Sequence, residues 1–151
     1  MKKIPVLDAV FVSIQLLLFI AYVLPIDWIS FTINPVLKIF SLLIFGLGLL
    51  ILLMALFGLK SNLTPFPSPK SNATLIQSGL YKYIRHPIYT GIIFAALGLG
   101  FYDESAWKIC TALVLWLLFY FKSRYEEKQL IKSFPQYLSY RKTTGRFIPF
   151  I

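Results

Sequence analysis

The densest group of residues able to do chemistry is the segment 79–91, GLYKYIRHPIYTG. Pro87 suits the first turn of a helix, where its missing N–H costs nothing, and His86 before it is kept out of the helical region. The free N–H groups of such a helix start, beside the charge of Arg85, favour a bound carboxylate or phosphate. Alternatively, Arg85 and His86 contact lipid head groups and the tyrosines of the segment form an interfacial belt.

A second polar group follows about 35 residues later, where Glu126 and Glu127 stand together among basic residues. On a helix, Lys122 and Glu126 would be neighbours one turn apart, with Arg124 nearby. Two interpretations stay open. In the first, the two acids are a solvated charge pair on the surface. In the second, one of the carboxylates binds a cationic group or the two hydroxyls of a ribose in a ligand.

The elements that must position these residues are apolar. Hydrophobic residues make up 58% of the 151 residues and charged residues only 14%, which excludes an ordinary soluble domain. Four uncharged stretches occupy residues 9–26, 39–59, 88–102 and 109–121. A membrane-spanning helix needs about 20 apolar residues, and the last two stretches are short, so a re-entrant hairpin is the alternative for them. We predict an all-α integral membrane protein of about four transmembrane helices.

The basic residues indicate the orientation of these helices. Residues 1–3, 60–87 and 122–151 carry two, four and seven of the 15 Lys and Arg residues. Alternating spans put all three segments on one side, which the positive-inside rule makes cytoplasmic, together with both termini. Trp28 and Trp107 would lie in an outer aromatic belt. Because the basic residues lie between apolar stretches, the net charge of +9 does not indicate that the protein binds nucleic acid.

The long cytoplasmic segments have recognisable internal breaks. Three prolines at 65, 67 and 69 predict a non-helical loop. The fourth helix is expected to leave the membrane and end near Ser133, before Phe134 and Pro135, with a cytoplasmic helical segment after it. Gly91, Ala95 and Gly98 share a helix face, which favours close helix packing over a ligand surface. One histidine and one cysteine exclude a His/Cys metal cluster, so no metal is expected.

Together these motifs resemble the isoprenylcysteine carboxyl methyltransferase family and its phospholipid methyltransferase relatives. The resemblance covers about residues 62–150, including the proline loop and the closing segment 146–149. The residues that carry it are Gly79, Tyr81, Arg85, His86, Pro87, Tyr89 and Gly91, then Glu126, Glu127 and Leu130, then Phe134, Tyr137 and Tyr140.

The family transfers a methyl group from S-adenosylmethionine, so the resemblance implies that cofactor. The resemblance also implies which residues hold it: Ala73, Thr74, Leu75, Ile76, Tyr81, His86, Pro87, Ile88, Tyr89 and Glu126, with Glu127 as the second choice for the glutamate. Arg85 and the helix start suit the cofactor's carboxylate, and the tyrosine faces suit its sulfonium. The C-terminal segment around 137–147 would roof the pocket.

The acceptor is expected to be a lipophilic small molecule or a prenylated cysteine that enters laterally from the bilayer. Glu126 or Arg124 would orient it. Eukaryotic carboxyl methyltransferases have an arginine one turn before the glutamate, and Lys122 stands at that position here. Lysine does not replace a bidentate arginine. The alternatives are therefore a phospholipid or another small lipophilic acceptor, or a non-catalytic membrane protein of the same fold that binds lipid or a partner.

We treat residues 1–151 as one methyltransferase domain, with two N-terminal spans in 1–59 and the cofactor-binding part in 60–151. A bacterial or archaeal cytoplasmic membrane is the expected location. The sequence leaves the oligomeric state open.

Overall fold

A computed structural model describes residues 5–26, 29, 31–59 and 62–149. Regular structure in these ranges is helical, apart from one isolated parallel bridge between Ile84 and Gly145. The elements are α1 (Val6–Val23), α2 (Pro35–Leu59), a 3₁₀ helix (Gly79–Lys82), α3 (Pro87–Tyr102), α4 (Ala106–Ser133) and α5 (Tyr137–Thr143). Residues 1–3, Trp28 and Lys60, which entered the orientation argument, lie outside the described ranges.

The boundaries of the functional helices follow the local signals in the sequence. His86 is the N-cap of α3 and Pro87 its first residue, as predicted. The fourth helix extends without a break to Ser133, where the Phe134-Pro135 pair ends it. The proline-rich loop is non-helical, and α5 is the predicted helical segment near the C-terminus.

Three of the described helices, α1, α2 and α4, are long and apolar enough to cross a membrane. Large apolar side chains on α1 and α2 point outward, for example Val6 and Phe57, as a lipid environment requires. The protein is therefore an all-α integral membrane protein. The 16 residues of α3 extend over about 24 Å, short of the roughly 30 Å hydrocarbon core. The fourth span and the orientation of the termini stay predictions.

Helices α2 and α3 are in backbone contact through small residues. A Cβ atom on Gly91 would lie 2.6 Å from the backbone nitrogen of Leu52, and one on Gly48 would overlap the backbone of Ala95. The predicted small-residue face of α3 is thus a helix-packing surface, of the kind that membrane helices use. This contact fixes the start of α3 relative to the end of α2.

The fully buried core lies between α3 and α4, where Ile93, Leu115 and Phe119 pack together. Leu18 and Phe19 of α1 pack against this cluster. Phe119 also stacks on the ring of Tyr89, with centroids 4.4 Å apart. The core therefore packs against the first turn of α3 and holds it next to the polar part of α4.

Candidate active site

The start of α3 is fastened to the C-terminal segment. Backbone N–H groups of Arg85 and His86 donate to the carbonyls of Gly145 and Arg146, at 2.9 and 3.1 Å. One turn further, the Thr90 hydroxyl donates to the carbonyl of Phe147 at 2.8 Å. The predicted roof thus packs along α3. It is fixed by hydrogen bonds between positions about 60 residues apart in the chain.

Glu127 is the centre of a buried charge cluster. Its side chain is 3% exposed and accepts from Arg85 Nε at 2.8 Å and from Arg146 Nη2 at 3.2 Å. Arg141 Nε and His86 Nε2 lie 3.5 and 3.4 Å from its carboxylate oxygens. Glu127 is therefore not a solvated surface acid. Its carboxylate is paired with arginine side chains of the protein itself.

The same cluster gives Arg85 partners within the protein. Besides pairing with Glu127, its guanidinium donates to the backbone carbonyls of Arg141 and Thr144. Its guanidinium is ion-paired with Glu127, and its other donors hold the C-terminal segment. That Arg85 receives a ligand carboxylate stays a prediction: its side chain lines both cavities, and its guanidinium is paired with Glu127.

Glu126 has the opposite surroundings. Successive residues of a helix point about 100° apart, so Glu126 turns away from the three arginines and its side chain is 26% exposed. Its Oε2 lies 3.7 Å from His86 Nδ1. It accepts a hydrogen bond from the Tyr89 hydroxyl at 2.8 Å. The Tyr89 ring in turn stacks on His86, with centroids 5.4 Å apart and the planes nearly parallel.

Two cavities meet at Glu126. The first has a volume of about 310 Å³ and lies between the loop at 63–65 and α1 to α4, within the size range of small-molecule sites. The second has a volume of about 100 Å³ and lies between the proline-rich loop, residues 73–76, α4 and α5. The walls of both contain Leu59, Thr64, Tyr81, Arg85 and Glu126.

Most of the residues predicted from sequence line these cavities. The second cavity contains Ala73, Thr74, Leu75 and Ile76. The first contains His86, Pro87, Ile88, Tyr89 and Lys122. Tyr81 and Glu126 line both. Glu127 lines neither.

Arg124, predicted to orient the acceptor, lines neither cavity. Its side chain is exposed and lies against Tyr120, with Nη1 3.4 Å from the phenol oxygen and the guanidinium 5.6 Å from the ring centroid. The structure does not bring Arg124 together with Glu126 and Lys122. The reason is helical geometry, because Arg124 projects from a different face of α4.

Lys122 is at the cavity wall, with partners that the sequence analysis missed. Its ammonium donates to Gln15 Oε1 at 2.6 Å and to the Pro65 carbonyl at 3.0 Å. A further missed residue, Asp8, is buried and accepts from the backbone N–H of Ser68. Asp8 and Gln15 are seven residues apart on the apolar helix α1. Their spacing indicated a helix face turned toward protein rather than lipid.

Three tyrosines enclose the second cavity: Tyr81, Tyr137 and Tyr140. Burial raises the pKa of Tyr140 to about 12, and it raises the pKa of Tyr81 and of Tyr137 still more. All three hydroxyls are therefore protonated donors at neutral pH. Tyr140 donates to the Tyr81 carbonyl. The buried Tyr137 hydroxyl has no hydrogen-bond partner among the described residues.

A third cavity lies deeper, among the apolar parts of α1 to α4, with a volume of about 250 Å³. Its wall is almost entirely hydrocarbon and aromatic, and the one polar group, the Tyr22 hydroxyl, is satisfied by the Ala96 carbonyl at 2.7 Å. Ile92 belongs to the walls of both this cavity and the first one. The polar site therefore borders directly on an apolar space within the helix bundle.

Comparison with known proteins agrees with this arrangement. The profile of the phospholipid methyltransferase family matches residues 36–137. The chain belongs to this family. The matched segment contains Glu126 and every other residue shared by the two polar cavities.

Individual relatives include the rat protein-S-isoprenylcysteine O-methyltransferase, which is 32% identical over 140 residues, or 83% of this chain and 49% of the relative. The cobalt-zinc-cadmium resistance protein CzcN of Cupriavidus metallidurans is 36% identical over 83 residues, or 54% of this chain and 38% of the relative.

Among solved structures, the eukaryotic intramembrane Ras methyltransferase, an isoprenylcysteine carboxyl methyltransferase, matches with a TM-score of 0.65 and 28% identity. The match covers 96% of this chain and 52% of that one. The chain thus spans about half, or less, of the length of the relatives that it matches.

Proposed function

We propose that the protein transfers a methyl group from S-adenosylmethionine to a lipophilic acceptor, as an isoprenylcysteine carboxyl methyltransferase does. The observation that carries the proposal is the convergence on Glu126. Tyr89, Tyr81 and residues 73–76, far apart in the sequence, line two adjoining cavities that share the wall containing this carboxylate.

The residues present fit S-adenosylmethionine. The Glu126 carboxylate suits its ammonium or ribose hydroxyls, and the Tyr81 and Tyr89 faces suit its sulfonium. The partnerless hydroxyl of Tyr137 at the second cavity offers a donor, as buried polar groups require a partner. When bound, the cofactor would supply an electrophilic methyl carbon. A carboxylate oxygen of the acceptor would bond to that carbon while the carbon–sulfur bond breaks, its electron pair remaining on sulfur.

The protein's own contribution would be alignment and exclusion of water. Glu126 would hold the cofactor, since its carboxylate faces the cavities. Glu127 would act indirectly, because its ion pairs with Arg85 and Arg146 fasten the C-terminal segment over the site. A carboxylate acceptor is already ionised at neutral pH, so this reaction needs no general base.

The acceptor's apolar part would lie in the third cavity. That space is lined by apolar side chains of four helices and shares Ile92 with the first cavity, which supports lateral entry from the bilayer. In the proposed arrangement the protein has four membrane spans. The site lies on the cytoplasmic side and is formed mainly by residues 60–151. The bacterial origin of one relative fits the expected bacterial or archaeal membrane.

A second candidate is methylation of a phospholipid amine. The description of the matching family favours it. An amine nucleophile must lose its proton, and Glu126 and His86 line the first cavity as candidate general bases. The two candidates share the cofactor and differ in the acceptor.

The first test is calorimetric titration of S-adenosylmethionine and S-adenosylhomocysteine into detergent-purified protein supplemented with lipid. We expect micromolar binding that Glu126→Ala weakens at least tenfold and that Arg124→Ala leaves unchanged. Equal weakening by both variants would contradict the assigned site. A folded sample that binds neither ligand would exclude the proposed methyl transfer. An acceptor screen with prenylcysteine and phosphatidylethanolamine then separates the two candidates.

A further inference from the structure

Lys122 is a buried cation with an unusual set of partners. Its residue is 2% exposed, and its ammonium is bound by two neutral oxygens, the Gln15 side-chain oxygen and the Pro65 carbonyl. The ring centroid of Tyr89 lies 5.6 Å from the ammonium nitrogen. Lys122, Gln15 and Tyr89 all line the first cavity.

The Lys122 ammonium has no direct ion pair with any described residue. Within the described part of the chain, no carboxylate oxygen comes within 4.0 Å of the ammonium. The carboxylates of Asp8 and Glu126 lie beyond that distance and act on the Lys122 charge only at longer range. An ammonium has three N–H donors, and two are used. An anionic group entering the first cavity would accept from the third donor and form the direct ion pair that Lys122 lacks.

We propose that Gln15 is a positioning residue that fixes the Lys122 ammonium at the cavity wall and so selects acceptors with a negative charge. The inference rests on the proposed function for the nature of the acceptor. Gln15 lies in α1, outside the residues 36–137 matched by the family profile. The first helix thus takes part in acceptor recognition and does more than anchor the chain in the membrane.

The geometry explains why glutamine serves here. Its oxygen accepts from Lys122 at 2.6 Å without cancelling the positive charge. A glutamate at the same place would keep the hydrogen bond and neutralise the ammonium. A leucine would keep the approximate volume and lose the hydrogen bond. Gln15→Glu and Gln15→Leu therefore separate the position of the ammonium from its net charge.

The experiment measures binding of two probes to the detergent-purified protein without cofactor. One probe is N-acetyl-S-farnesylcysteine, which has a carboxylate, and the other is its neutral carboxamide. We expect the wild-type protein to prefer the carboxylate. Gln15→Leu should weaken carboxylate binding about tenfold, the size of one hydrogen bond to a charged group, and should leave carboxamide binding unchanged. Ser13→Ala, an exposed polar residue on the same helix, is the matched control.

Gln15→Glu provides the decisive readout. If Gln15 acts on the acceptor's charge, this variant loses the preference for carboxylate while its unfolding temperature stays at the wild-type value. If Gln15 is only structural, Gln15→Leu weakens the binding of both probes equally and lowers the unfolding temperature, and the inference fails. Equal binding of both probes by the wild-type protein also overturns it. S-adenosylmethionine affinity is measured in parallel: its absence would refute the proposed function, whereas a Gln15-dependent preference for the carboxylate would still support this inference.

Discussion

Glu126 and Glu127 are adjacent in the chain, yet they belong to two different regions of the molecule. Glu126 faces two cavities, accepts a hydrogen bond from the hydroxyl of Tyr89 and lies 3.7 Å from His86 Nδ1. Glu127 is surrounded by three arginines and His86, from the loop before α3 and from the C-terminal segment. We call these regions the cavity face and the clamp face of α4. The difference teaches that one helix can hold a ligand on one side and its own covering segment on the other.

The largest expected effect is on the clamp face. Glu127→Ala would leave Arg85 and Arg146 without their anion in a buried place, which costs about 3–5 kcal/mol of the free energy of unfolding. Thermal or chaotrope unfolding in detergent measures it. Glu126→Ala is the matched control and should lose far less stability. If the two variants lost the same stability, the distinction between the faces would be wrong.

The next effect is on ligand binding at the cavity face. Glu126→Gln keeps the shape and the oxygen that accepts from Tyr89 but removes the charge, so S-adenosylmethionine affinity should fall about tenfold, or 1.4 kcal/mol. The free energy of unfolding should change by less than about 1 kcal/mol. Titration calorimetry and unfolding on the same samples check both values. Unchanged affinity would remove Glu126 from the cofactor site.

A smaller effect is expected where the clamp extends along α3. Thr90→Val removes the hydroxyl that donates to the Phe147 carbonyl and should cost about 1 kcal/mol. Amide hydrogen exchange should then rise in residues 144–149. Thr111→Val is the control, because the Thr111 hydroxyl is also buried but bonds within its own helix to Trp107. Equal exchange in both variants would show that this hydrogen bond does not fasten the segment.

The smallest effect tests the exposed side of α4. Arg124→Ala removes an exposed side chain that lies against Tyr120, so the free energy of unfolding should change by less than about 0.5 kcal/mol. Methyl transfer and cofactor affinity should stay at the wild-type values. A large loss of acceptor turnover would restore the original prediction that Arg124 orients the acceptor.

Much of the fold followed from local signals. Pro87 determined the start of α3, and Phe134-Pro135 determined the end of α4, because proline restricts the backbone of the residue before it and cannot donate to a helix. The apolar stretches predicted the membrane helices, although α1 and α2 begin before the stretches do. The motif residues around His86 and Glu126 were likewise recognisable as the site.

Tertiary structure alone decided the surroundings of each of these residues. Sequence left Glu126 and Glu127 as alternatives, because their distances along the chain to every motif differ by only one residue. The choice depends on which helix face meets the C-terminal segment, and the Arg85–Glu127 pair joins positions 42 residues apart. The Gln15–Lys122 contact joins positions 107 residues apart. Local propensity extends over one or two helical turns, so contacts at these separations are determined only by how the helices pack.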